Sequence, residues 1–181
     1  MDRSDIVAYF GRLDKELGVP AVLYIYGSAA VILLGADDRT SLDIDVAGPY
    51  STVDSARFAE ASAMAGLPVN PALDVSSNHV EWVGALRLCL PPPEPEAMVL
   101  WQGAHLVVKT GKVEDLVASK LIRYDETDQA DVQFLFKASR FTHESVAAAV
   151  KLLPRPFNTD ALVLENLANL KTDIAIWGGG A

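Results

Sequence analysis

The stretch that most limits what this chain can fold into is AVLYIYGSAAVILLGADDRTSLDIDV, residues 21–46. Six residues rich in β-formers, AVLYIY, stop at Gly27, so a strand is predicted to end there. Ser28 can cap a helix running to about Leu34, with Gly35 in place to end it. LDIDVAG, residues 42–48, reads as the next strand. Side chains alternate along a strand, so Asp43 and Asp45 share one face, while Leu42, Ile44 and Val46 take the other, towards a core. Two adjacent carboxylates on one face repel each other and lose hydration unless positive charge sits between them. A hard divalent cation such as Mg²⁺, held through carboxylate oxygens, is one resolution. A polar edge strand open to water is the other.

The flanking segments extend the pattern. Ile6, Val7, Phe10, Leu13 and Leu17 fall at helical spacing over residues 3–17 and stop at Gly18, with Pro20 beyond. Residues 52–65 predict a helix capped by Ser51 or Thr52 and ended by Gly66. ALDVSS (72–77), VEWVGALRLCL (80–90) and MVLWQGAHLVVKT (98–110) read as strands, the last in two pieces around Gly103. LPPPEPEA (90–97) excludes regular structure between them. From residue 111 to 154 the pattern is almost wholly helical, with breaks near Asp125 and at 139–142, and one more helix is expected over 160–176. The chain therefore divides into a mixed α/β part, residues 1–110, and a helical part, 111–181.

Charge and composition narrow the function. The formal net charge is −9 and the pI about 4.7. A long polyanion is not the first partner to expect, since phosphate binding relies on clustered Lys and Arg. Metal ions can still bring a nucleotide to an acidic site. The one cysteine, Cys89, excludes an intrachain disulfide and a cysteine-rich zinc site. MDRSDIVAYF has no basic segment followed by an apolar core, and the apolar run 22–36 is too short to span a bilayer and is broken at Gly27-Ser28. The expectation is a cytoplasmic protein without membrane contact.

Gly27-Ser28 lies where a strand meets a helix N-terminus, a place that favours an anion. Each residue alone is explained by a turn and a cap. Together with Asp43 and Asp45 they suggest a phosphate site beside a metal site. The run YGSAAVILLG…RTSLDIDV resembles the nucleotidyltransferase (polymerase-β-like) superfamily, marked by a Gly-Ser or Gly-Gly pair before a helix and Asp-x-Asp on the next strand. Arg39-Thr40 and EDLVASKLIRYDETDQADVQFL resemble its small prokaryotic branch related to AbiEii-type toxins. The resemblance implies an α+β fold, a mixed sheet flanked by helices with a C-terminal helical part. It implies that Gly27 and Ser28 hold an NTP, that Asp43 and Asp45 hold two Mg²⁺ ions, and that a third carboxylate on a later strand activates the attacking hydroxyl. Asp74 is the candidate for that third acid.

Lys120 and Arg123, three apart on a predicted helix, can contact the triphosphate or can be an ordinary solvated face. Arg39 can orient Asp43 or bind phosphate, or belong to a plain loop. Asp128 and Asp131 are spaced for one helix face, and Asp128 also fits a cap or first-turn acid. His79, His105 and His143 show no ligand-like spacing, and Ser-His-Asp, GxGxxG and P-loop signals are absent. The expected activity is metal-dependent transfer of NMP from an NTP to a hydroxyl of a protein, a tRNA end or a small molecule, in a toxin–antitoxin or defence setting with a cognate antitoxin as partner. The alternative is a catalytically silent module that keeps the fold for interaction.

Overall fold

Asp2 sets the first helix. Its carboxylate accepts the Asp5 N–H at 2.9 Å, and Asp5 Oδ2 accepts the Asp2 N–H at 3.1 Å, a reciprocal pair that satisfies two otherwise orphaned donors. The helix, α1 (Arg3–Leu17), stops at Gly18, whose φ of +59° is the left-handed conformation glycine adopts at no steric cost. Ile6, Phe10, Leu13 and Leu17 form its buried stripe, while Val7 lies at the stripe's edge, 37% exposed.

The computed structural model describes residues 1–71, 76–95 and 97–179. Among them the chain continues as β1 (Ala21–Tyr26), α2 (Gly27–Leu33), β2 (Asp43–Ala47), α3 (Ser55–Met64), β3 (His79–Val83), β4 (Met98–Gln102), β5 (Leu106–Thr110), α4 (Val113–Lys120), α5 (Glu126–Ser139), α6 (His143–Leu152) and α7 (Ala161–Gly178). This is an α+β chain. No described helix is long and apolar enough to cross a membrane.

The strands form one mixed sheet in the order β3-β2-β1-β5-β4. β1 runs parallel to β5 and antiparallel to β2, β2 parallel to β3, and β4 antiparallel to β5. Leu23, Ile25, Ile44, Val80, Leu106 and Val108 are fully buried, which makes the sheet's middle the core. α1 packs on α2, α3 and β5, and α2 on β1 and β2.

Asp14, near the end of α1, reaches the β4–β5 turn. It accepts the backbone N–H groups of Ala104, His105 and Leu106 at 3.1, 2.7 and 2.7 Å. Burial opposes its charge, but the three amides together outweigh that and hold the carboxyl below its usual range. Gly103 makes room for it, since a Cβ there would come within 2.5 Å of the Asp14 carboxyl carbon.

Two expectations shift, and a third falls outside the described residues. α3 starts at Ser55 and is capped by Asp54, which accepts the Ala56 and Arg57 N–H groups at 3.0 and 3.1 Å. Ser51 and Thr52 instead accept the amides of Tyr24 and Val22 on β1 at 3.1 and 2.8 Å, so their hydroxyls are already committed to the sheet. β3 ends at Val83, because Arg87 and Leu88 turn back to hydrogen-bond the Gly84 carbonyl. Most of the expected strand at 72–77, Asp74 included, lies outside the described residues.

The chain forms two compact units: Met1–Leu88 with Pro95–Thr110, and Cys89–Glu94 with Gly111–Ala181. The proline-rich segment Cys89–Glu94 groups with the helices that follow residue 110. One tie is Lys112 Nζ, 2.7 Å from Glu94 Oε1.

Within the helical unit, Asp115 is 2% exposed. Its Oδ2 accepts the Lys112 N–H at 3.2 Å, and its Oδ1 has no hydrogen-bond partner among the described residues. Burial pushes its carboxyl up to about 6, with Lys112 pulling the other way. A buried acid with a raised pKa destabilises the fold above that pKa, and the burden is relieved as pH falls from about 6 towards the ordinary 3.8. Urea unfolding of wild type and Asp115→Asn should therefore show the stability difference moving in the wild type's favour by about 2 kcal/mol between about pH 8 and about pH 4.

Candidate metal and phosphate site

The site is built by strand register. β1 pairs with β2 so that Tyr26 stands opposite Asp45, and β2 pairs with β3 so that Asp43 stands opposite His79 and Asp45 opposite Glu81. Directly paired residues share a face. Asp43, Asp45, His79 and Glu81 therefore rise from one side of the sheet, while Ile44 and Val80 between them enter the core.

Each of three ligand-type side chains, Asp43, His79 and Glu81, offers an atom within 4.8 Å of the others. Each also has an orienting partner. Ser41 Oγ donates to Asp43 Oδ1 at 2.9 Å, His79 Nδ1 lies 2.9 Å from the Ser77 carbonyl, and Arg87 Nη2 donates to Glu81 Oε2 at 3.0 Å. Two carboxylates and an imidazole at this separation fit a divalent cation, whose charge would offset their repulsion.

Asp45 completes the face at its other end, against the β1–α2 corner. Gly27 holds φ at +67°, and a Cβ there would overlap Asp45 Oδ2. Glycine is thus required twice, for backbone conformation and for carboxylate space. Gly27→Ala is expected to cost about 1–3 kcal/mol in denaturant unfolding and to weaken divalent-ion binding by calorimetry, because the methyl group displaces Asp45.

Ser28 does not cap α2. The cap position is Tyr26, with no side-chain hydrogen bond to the helix. The Ser28 hydroxyl instead accepts from Arg39 Nη2 at 3.1 Å, which brings a half-buried guanidinium to the same corner. Gly27, Ser28, Arg39, Asp43 and Asp45 therefore all belong to one neighbourhood of the sheet-bearing unit.

Lys120 and Arg123 belong to the helical unit. α4 stops at Lys120, so Arg123 lies past the helix and the two do not share a helical face. Lys120 is 6% exposed, with Nζ 3.1 Å from Asp128 Oδ1 and 2.6 Å from Asp131 Oδ2. Arg123 Nε lies 3.0 Å from Asp128 Oδ2 and 2.7 Å from Asp125 Oδ2. Asp128 and Asp131 do share a face, and what they face is Lys120. Asp125, not Asp128, caps α5.

His79 and Glu81 were not among the candidates. The signal was present: HVEWV (79–83) alternates polar and apolar residues just as DIDVA (43–47) does. Parallel pairing then sets the two polar rows side by side. Asp74, the acid put forward instead, lies outside the described residues. No family model, curated protein or solved structure matches this chain.

Proposed function

We propose that the protein is a metal-dependent nucleotidyltransferase, moving NMP from an NTP to a hydroxyl of a protein, a tRNA end or a small molecule. The observation that carries this reading is the convergence of Asp43, Asp45 and Glu81 on one sheet face next to the Gly27 corner. The resemblance of residues 20–50 to the polymerase-β-like superfamily points the same way.

In this reading Ser28 and Arg39 bind the triphosphate, through a hydroxyl and a guanidinium that already touch. Asp43 and Asp45 hold the divalent ions. Bound there, divalent ions, two Mg²⁺ in the superfamily, would supply the positive charge that offsets charge developing on the phosphates. Glu81, which shares this face, serves here as the third acid, able to take the proton of the acceptor hydroxyl; Asp74 lies outside the described residues. The acceptor oxygen then bonds to the α-phosphorus, the bond from that phosphorus to the bridging oxygen breaks, and pyrophosphate leaves. Lys120 has no part in this reading, since its charge is matched within the helical unit. A place beside a cognate antitoxin or in a defence operon rests only on the resemblance of Arg39-Thr40 and residues 112–136.

A second reading is a silent module that binds nucleotide without transferring it. The pairing of Glu81 with Arg87 favours it, because the Arg87 guanidinium, 3.0 Å away, already occupies one oxygen of the carboxylate that would receive the proton. Incubation with each α-labelled NTP, a divalent metal and cell extract separates the two. Label appearing on protein, RNA or a small molecule with wild type, and lost with Glu81→Gln, supports transfer. Metal-dependent nucleotide binding without label for any NTP supports the silent module.

A further inference from the structure

We propose that Asp43, His79 and Glu81 form a mixed nitrogen–oxygen centre that takes a first-row transition ion such as Mn²⁺ or Co²⁺ in preference to Mg²⁺, with His79 as its imidazole ligand. The proposal deepens the nucleotidyltransferase reading and rests on it only for what the ion does there. An all-carboxylate site would suit Mg²⁺, a hard ion that prefers oxygen and keeps its waters. An imidazole changes that preference, because nitrogen donors favour transition ions.

Two independent observations support His79 as a ligand. The first is position: parallel register puts it directly opposite Asp43, with ligand atoms of Asp43, His79 and Glu81 mutually within 4.8 Å. The second is its outer contact. The Ser77 carbonyl can only accept, so the His79 nitrogen 2.9 Å from it, Nδ1, carries the proton and donates. The neutral ring then has its lone pair on Nε2, as required of a metal ligand. Ligating histidines characteristically give their second N–H to a carbonyl or carboxylate in this way. Asp43 and Glu81 have outer partners of their own in Ser41 and Arg87, so each of the three side chains is oriented before any ion arrives. Arg87 also brings a positive charge to within 3.0 Å of Glu81.

The test measures metal binding without nucleotide. Calorimetry with Mn²⁺, Co²⁺ and Mg²⁺ on the full chain is expected to give Mn²⁺ and Co²⁺ affinities about tenfold or more above that of Mg²⁺. Pulsed electron paramagnetic resonance of the Mn²⁺-loaded protein is expected to show coupling to a directly bound nitrogen. His79→Gln and His79→Ala should both lose that coupling. They should lower Mn²⁺ affinity about 10–100-fold while changing Mg²⁺ affinity little. Two variants guard against one that fails to fold, and circular dichroism identifies such a variant. Wild type with no preference for Mn²⁺ over Mg²⁺, or a nitrogen coupling that persists in a folded His79 variant, overturns the inference. Failure of the parent reading looks different: His79-dependent Mn²⁺ binding persists, yet no NTP label is transferred with any metal.

Discussion

Lys120→Ala is expected to cost about 3–5 kcal/mol, a large fraction of the roughly 5–15 kcal/mol that holds a typical domain folded. The ammonium sits between two carboxylates, with the Lys120 side chain 5% exposed and those of Asp128 and Asp131 6% and 1%. Removing the cation leaves two buried negative charges facing one another with little water to screen them. Arg123 still reaches Asp128, but Asp131 lies deeper and loses a contact of 2.6 Å. Urea unfolding followed by circular dichroism measures the loss. The double variant Lys120→Met, Asp131→Leu discriminates the cause. If the penalty is stranded charge, it should be more stable than Lys120→Ala, because a buried pair replaced by apolar groups is often neutral or stabilising. If the double variant is the less stable, packing of the lysine stem is the larger effect.

Asp43→Asn is expected to abolish tight divalent-ion binding and to lower transfer by about a thousandfold, corresponding to about 4 kcal/mol of lost charge stabilisation. The amide is isosteric and still accepts from Ser41, so the sheet should keep its register. What disappears is the negative charge that attracts the ion. Thermal stability in metal-free buffer should hold or rise, since one member of a repelling cluster is gone. Asp45→Asn should act in the same direction on nucleotide binding, through the corner at Gly27. Calorimetry with Mg²⁺ and each of ATP, CTP, GTP and UTP is the check. Equal binding by wild type and both variants would remove the acids from the proposed function.

Much of the sheet-bearing unit was legible because its determinants are local. Gly18 ends α1, Gly27 ends β1, and the alternation of DIDVA fixes which face carries Asp43 and Asp45. The partners of those acids were not legible. His79 and Glu81 reach the site only through parallel pairing of β2 with β3, a contact between segments that α3 and its loops separate in sequence. No spacing rule encodes such a pairing. Ser51 and Thr52 misled for a related reason: a hydroxyl before a helical pattern reads as a cap, yet the amides of β1 claim both. Lys120 misled because solvation is a tertiary property. Spacing from Arg123 described a surface, and the fold put the lysine inside.

The position of β2 has a consequence for how errors in folding would show themselves. It is clamped between an antiparallel neighbour and a parallel one, with Ile44 and Val46 turned inward. A slip of a single residue would turn those two aliphatic side chains to solvent and drive both aspartates into the apolar interior. A misaligned sheet would forfeit the core and the proposed cation site together, so ion binding, if calorimetry finds it, would also report that the central strands are aligned.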